Sequence, residues 1–308
     1  MRLTKPKFQI LAASFIENLH HSYDKSELLI EEAGRVCYKS EDKITENSHI
    51  IFLKSLEARN HLSVFEHSWS YRFYPRTLID YYPYLYFLEV NNGVLVAGNQ
   101  RAFKEWSYKA KDTYVQLENN EIQKIIYENK RWDLLAATVK IVADRGVSHE
   151  LVRHRLASYS QESTRYNNYS KDKFGKHLTF IIPSWCRIPS GEYQIDYSDG
   201  DRPKLINSEV SFLDYTIAEI TWFWNCVRCE KDYLELIALG WTPQQARVVL
   251  NHSLKTEIVI TANLQEWKHI FDLRALGTTG NPHPQMIEIM LPLHERFQLM
   301  FPDVFSTS

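Results

Sequence analysis

Arginine, histidine and arginine stand side by side at Arg153, His154 and Arg155, and seven residues further on come Ser163 and then Arg165. The guanidinium group suits an anion because its planar fork donates two parallel hydrogen bonds and keeps its charge at any working pH. With a hydroxyl at Ser163 and a further cation at Arg165, the stretch offers a polar cradle for a phosphorylated small molecule. The triplet alone is equally at home on a solvated face, and Ser163 could be a helix cap or an ordinary loop serine. As a hydrolytic nucleophile, Ser163 would need a base and an orienting acid beside it, and no GxSxG elbow surrounds it. Neither GxGxxG after a strand nor GxxxxGK[ST] occurs, so nucleotide sites of those two designs are not expected. His61, Glu66 and His67 could be read as metal ligands, but they straddle a helix-to-strand turn, and no metal is expected. Cys226 and Cys229 form a lone CxxC in an apolar run; without a second pair, core packing is the simpler reading.

The chain that must position these groups has 308 residues, 44% hydrophobic and 13% aromatic, enough for a sizeable core. Its 36 basic and 38 acidic residues give a net charge of −2, against the basic excess of a general nucleic-acid binder. No nucleic-acid partner is expected, although the Tyr-rich run after Arg155 could serve as a stacking platform. The N-terminal MRLTKPKFQILAASF reads as a first strand and lacks the apolar core of a signal peptide. No run of about 18 apolar residues suggests a membrane span, and the four sparse cysteines suit a reducing cytoplasm.

Strands are expected at 7–15, 68–73, 134–142 and 254–262, with a hairpin turning at Asn91–Gly93. Helices are expected at 26–36, 46–60, 144–155, 207–239 (stopped by Gly240), from Thr242-Pro243, after Asn263, and at the end with a kink at Pro292. NQRAFKEWSYKA reads as helical, whereas 111–131 is polar and reads as a surface excursion. Stretches 156–170 and 190–205 read as polar loops. If the helix at 144–155 is continuous, Glu150, Arg153 and His154 share one face. Together these elements make one α/β (α+β) domain spanning 1–308, with a central, twisted, mainly antiparallel sheet and long helices, plus a surface insertion at about 76–130.

RHRLASYSQESTRY resembles the signature of the flavin-dependent thymidylate synthases, RHR, seven residues, S, then x-R-Y, at all its fixed positions. HLSVFEH at 61–67 resembles the family's H-x-S/T-x-F-E-H segment, with Val64 in place of the usual proline. ARVVL at 246–250 and NLQEWKHIFDLR at 263–274 resemble two further segments, in the family's order. The resemblance covers about 25–74, 134–185 and 215–300.

It implies reductive methylation of dUMP to dTMP, with methylenetetrahydrofolate as carbon donor and a hydride carried by FAD from NADPH. A related C5 modification such as hydroxymethylation, or a nucleotide-binding relative without turnover, are the alternatives. The implied catalytic residue is Arg274, a fixed cation beside the uracil ring that pushes electron density towards C5. For dUMP the resemblance points to Glu150, Leu151, Val152, Arg153, Gln161, Glu162, Ser163, Thr164, Arg165, Arg247 and Arg274. For FAD it points to Cys37, Ser63, Glu66, Arg153, His154, Arg155, Gln161, Asn263, Gln265 and His269. It also implies a homotetramer with shared sites. The chain departs from the family pattern at Gln265, where arginine is frequent, and at His149-Glu150, which stand in place of Arg-Gln.

Overall fold

A computed structural model describes residues 1–75, 80–107, 113–198, 203–207 and 211–305. The expected first strand is two, β1 (Arg2–Thr4) and β2 (Lys7–Ala13), separated by Lys5-Pro6. Helix α1 (Ser26–Tyr38) buries Leu29, Ala33 and Val36 against Leu11, Ala12 and Val259, and ends at Lys39 with φ 47°. Helix α2 (Ser48–Ala58) follows, with Asn60 just beyond it in the left-handed region.

Strand β3 (Ser70–Pro75) pairs with the hairpin β4 (Leu85–Val90) and β5 (Gly93–Gly98). The hairpin turns where the Asn-Asn-Gly signal placed it. Helix α3 (Gln100–Glu105) starts under an Asn99 cap, whose side chain accepts from the Ala102 N–H at 2.8 Å. The polar stretch read as an excursion contains a helix, α4 (Asn119–Glu128). Two isoleucines four residues apart, Ile122 and Ile126, are enough to carry it into the main core, where both are buried.

Next come β6 (Ala136–Asp144), α5 (Arg145–Leu151) and β7 (Ala157–Gln161). Short strands β8 (Thr179–Ile181) and β9 (Gly191–Glu192) flank β1, and β10 (Gln194–Asp196) pairs with β11 (Lys204–Asn207). The stretch 190–205 is therefore not a plain loop. Helix α6 (Ile217–Ala238) begins ten residues later than its aromatic run suggested. Its start is fixed by Thr216 and Glu219, which bond each other's backbone N–H reciprocally. Gly240, at φ 93°, ends the turn that follows.

Helix α7 (Pro243–Ala246), strand β12 (Lys255–Asn263), helix α8 (Leu264–Arg274), helix α9 (Pro284–Met300, with Pro292 inside it) and helix α10 (Pro302–Phe305) complete the chain. The central sheet is antiparallel throughout, in the order β2-β6-β12-β7. Strand β12 lies between β6 and β7, with Ile258 opposite Ile141 on one side and Gln161 on the other. One face carries α8 and α9, whose Trp267, Phe271, Met290 and Phe297 are fully or almost fully buried. Among the described residues, no helix is long and apolar enough to cross a membrane.

Candidate active site

Helix α5 is short because both its ends are held from elsewhere. Asp144 caps the start, accepting from the Val147 N–H at 2.9 Å, and is itself held by the Gln285 amide at 2.9 Å. At the other end the Tyr159 hydroxyl lies 2.8 Å from the carbonyls of both Leu151 and His154, and Arg274 donates to the carbonyl of Glu150 at 3.3 Å. These partners satisfy the carbonyls that a helix leaves orphaned at its C-terminus. The helix thus stops at Leu151, and the single helical face expected for Glu150, Arg153 and His154 does not form. Arg153 and His154 follow in a turn: His154 points inward and is buried, while Arg153 and Arg155 stay exposed.

The turn nevertheless brings Glu150 and His154 to one guanidinium. Arg274, the last residue of α8, donates from Nη1 to Glu150 Oε2 at 2.7 Å and from Nε to His154 Nε2 at 3.1 Å. A ring nitrogen that accepts carries no proton, so the neutral His154 ring is protonated on Nδ1. That atom lies 3.9 Å from Glu266 Oε1. Burial, then the charges of Arg274 and His269, lowers the His154 pKa to about 4. The unfolded chain therefore binds this proton first. The associated stability is complete above the ordinary value of 6.5 and is lost as pH falls towards 4. In an NMR titration the His154 ring should change state near pH 4; a midpoint near 6.5 would contradict the assigned contacts.

The run after Arg155, read as a loop, enters the sheet as β7. Its serines behave as strand residues because their hydroxyls have partners. Ser158 donates to Glu66 Oε2 at 2.8 Å, and Ser160 lies 2.9 Å from His67 Nε2. His67 is buried, bonds Thr261 through Nδ1 at 2.9 Å, and has its pKa driven down to about 3 by burial. These contacts account for His67 without a metal. Gln161 ends the strand and donates to Ser148 and Thr256 at 2.9 and 3.1 Å.

Beyond β7 the chain is pinned residue by residue. Buried Glu162 accepts from Lys255 at 2.9 Å and from the Tyr169 hydroxyl at 3.1 Å. The Ser163 N–H donates to the Cys37 carbonyl at 3.0 Å, and Ser163 Oγ accepts from the Arg165 N–H at 3.2 Å. Thr164 lies 3.5 Å from Arg247 Nη1, and Arg165 turns outward over the Tyr166 ring. None of these contacts gives Ser163 a base, and its oxygen is oriented by a backbone donor.

Thr164 and Arg247 border a cleft of about 240 Å³ that also takes in Arg145, His149 and His252. Among the described residues neither Arg145 nor Arg247 makes an ion pair, so two cations and two imidazoles face the cleft without a carboxylate partner. That arrangement suits a dianionic phosphate. Arg145 and His252 were not singled out from the sequence; they lie 107 positions apart, and no local pattern joins them.

The other residues that the resemblance assigns to a flavin differ in their exposure. Ser63, Gln265 and His269 are exposed, and the His269 ring lies 5.8 Å from that of His154. Asn263 is buried, and its Oδ1 caps α8 by accepting from the Glu266 N–H at 2.7 Å. Cys37 is partly buried, and burial raises its pKa. Glu66 is paired with Arg101 of α3 at 2.6 Å. Arg153 and Arg155 make no ion pair among the described residues, and His154 sits between them. A donor-rich edge of this kind, with few free carboxylates, fits a cofactor carrying a pyrophosphate.

Residues 104–303 match the family model for the thymidylate synthase complementing protein. The flavin-dependent thymidylate synthase of Pyrococcus furiosus is 32% identical over 130 residues, 42% of this chain and 42% of that protein. The enzyme of the same name from Geobacter sulfurreducens is 30% identical over 130 residues, 42% of this chain and 43% of its own. The matched stretch thus spans less than half the length of these two relatives. A crystal structure of the UMP/dUMP methylase PolB from Streptomyces cacaoi, bound with 5-Br dUMP, aligns over 99% of this chain and 95% of its own, at 15% identity and a TM-score of 0.46.

Proposed function

The chain belongs to the thymidylate synthase complementing protein family, and we propose that it converts dUMP to dTMP by reductive methylation, with methylenetetrahydrofolate as carbon donor and NADPH as reductant. The Arg153–His154–Arg155 edge, with Gln265 and His269, would hold FAD, which would supply the hydride when bound. The observations that carry the reading are the meeting of Arg274, Glu150 and His154 at the end of α5, and a cleft lined from the same helix by Arg145 and His149 and by Arg247, where neither arginine makes an ion pair among the described residues.

The residues divide the work. Arg247, Arg145 and Thr164 hold the nucleotide phosphate. Arg274 sits at the uracil ring, where its charge stabilises negative charge developing at N3 and O4. Density moves to C5, which bonds the methylene carbon as a folate C–N bond breaks; tetrahydrofolate departs as the amine and C5 loses its proton. Fixed charge placed where charge develops is commonly the largest catalytic contribution. Neutral His154 does not compete for that role, because it accepts a hydrogen bond from Arg274 and orients it. Cys37, Cys186, Cys226 and Cys229 are not needed as nucleophiles: burial raises the pKa of each.

Exposed Val152, Leu156 and Val248 lie beside the Arg-His-Arg turn and the cleft. They support assembly into a homotetramer in which neighbouring subunits cover the site. We place the enzyme in the cytoplasm, as four cysteines in 308 residues suit a reducing compartment.

The test is tritium release from dUMP labelled at C5, with FAD, NADPH and methylenetetrahydrofolate omitted in turn. Release that requires flavin, reductant and folate, with dTMP as the product, is expected. Folded protein that releases nothing under the complete mixture would refute the reading, and a hydroxymethylated product would redirect it.

A further inference from the structure

Away from this site, the loop between β2 and α1 carries adjacent histidines over a buried carboxylate. His20 Nε2 and His21 Nε2 lie 3.1 and 2.6 Å from the same atom, Oε2 of Glu32. The three candidate donor atoms lie within 4.8 Å of one another. We propose that His20, His21 and Glu32 form a binding site for a divalent transition metal of the zinc class, with at least one coordination position left to solvent or an exogenous ligand.

The donor set is two imidazoles and one carboxylate, which suits a borderline cation such as zinc. With metal–ligand bonds of about 2.0–2.1 Å, tetrahedral donors stand roughly 3.4 Å apart. The side chains therefore need only small shifts to exchange their present contacts for metal bonds. The His21 Nε2–H donates to that oxygen, and a cation would replace its proton.

The frame is already built. Glu32 lies on α1 and is 7% exposed. The His21 N–H donates to the Leu11 carbonyl of β2 at 2.7 Å, and Asn18 turns the loop with φ 63°. His20 is half exposed and leaves a path for entry. Lys140 approaches the other Glu32 oxygen at 3.9 Å, but it lies closer to Glu257 and Glu41, at 3.2 and 3.7 Å, so its charge is shared. Both histidines line a cavity of about 880 Å³ with Lys25, Tyr71 and Gln100, so an open metal position would face a polar space.

The test is zinc titration of the chelator-treated full chain by competition with a chromophoric chelator, followed by elemental analysis of the desalted protein. One equivalent is expected, with a zinc-dependent rise in Tm. His20→Gln, at the half-exposed position, should preserve the fold in the metal-free form. His20→Gln with His21→Gln should weaken binding at least about 100-fold, beyond the usual effect of losing an outer-shell partner. Undiminished binding in the double variant would overturn the proposal, as would a chain that takes up no zinc. Zinc uptake that instead disappears on replacing Cys226 and Cys229 would also overturn it. None of these readouts depends on dUMP or flavin.

Discussion

Arg274→Ala should abolish turnover, by about 100-fold or more, while the protein stays folded and keeps its flavin. The magnitude follows from removing one preorganised charge from the place where negative charge develops. The structural cost should be small. The Arg274 side chain is 22% exposed and that of Glu150 36%, so water can take over the carboxylate, and exposed ion pairs contribute only about 0–1 kcal/mol. Flavin absorbance after gel filtration, set against tritium release, separates the two effects. Near-normal turnover would remove Arg274 from the reaction; loss of flavin together with turnover would make it a cofactor-binding residue instead. Glu150→Gln is the informative companion, because it keeps a hydrogen-bond acceptor for Arg274 and removes the charge that offsets it. Turnover should survive that change.

Trp267→Ala should destabilise the protein by about 3–5 kcal/mol, as expected for deleting a large buried aromatic. Trp267 is fully buried, stacks on Phe271 at 5.6 Å and meets Phe297 at 5.2 Å. Its indole N–H donates to the Ala137 carbonyl at 3.0 Å. The residue fastens α8 to β6, and α8 carries His269 and Arg274 to the site. Urea unfolding of the two proteins gives the comparison, and Trp267→Phe should recover part of the loss. A loss below about 1 kcal/mol would show that the helix is held chiefly by other contacts.

What was legible locally held up wherever local forces decide. The alternation of 254–262 became β12, the central strand that carries most of the sheet register. Asn263 caps α8, Thr242-Pro243 opens α7, and Gly240 takes the left-handed turn after α6. Each is a preference of a few neighbouring residues and is written within one turn of chain.

Three misread elements share one cause, which is that distant partners outweighed local preference. Read from residues alone, α5 should have run on through His154. It stops at Leu151 because Tyr159 and Arg274 take its last carbonyls. The serine-rich run reads as a loop by composition, yet it becomes β7 because β12 pairs its backbone and Glu66 and His67 take its hydroxyls. Polarity along 111–131 concealed α4, whose place depends on two isoleucines reaching the main core.

By itself, then, the sequence determined the residue types at the site, the strand at its centre and the caps that start and stop several helices, because those depend on contacts within a few positions. The tertiary structure alone decided that Arg274 would meet Glu150 and His154, and that Arg145 would share a cleft with Arg247 and His252. These groups are brought together by sheet register and helix packing, which couple residues more than 100 positions apart and leave no periodic trace in the chain.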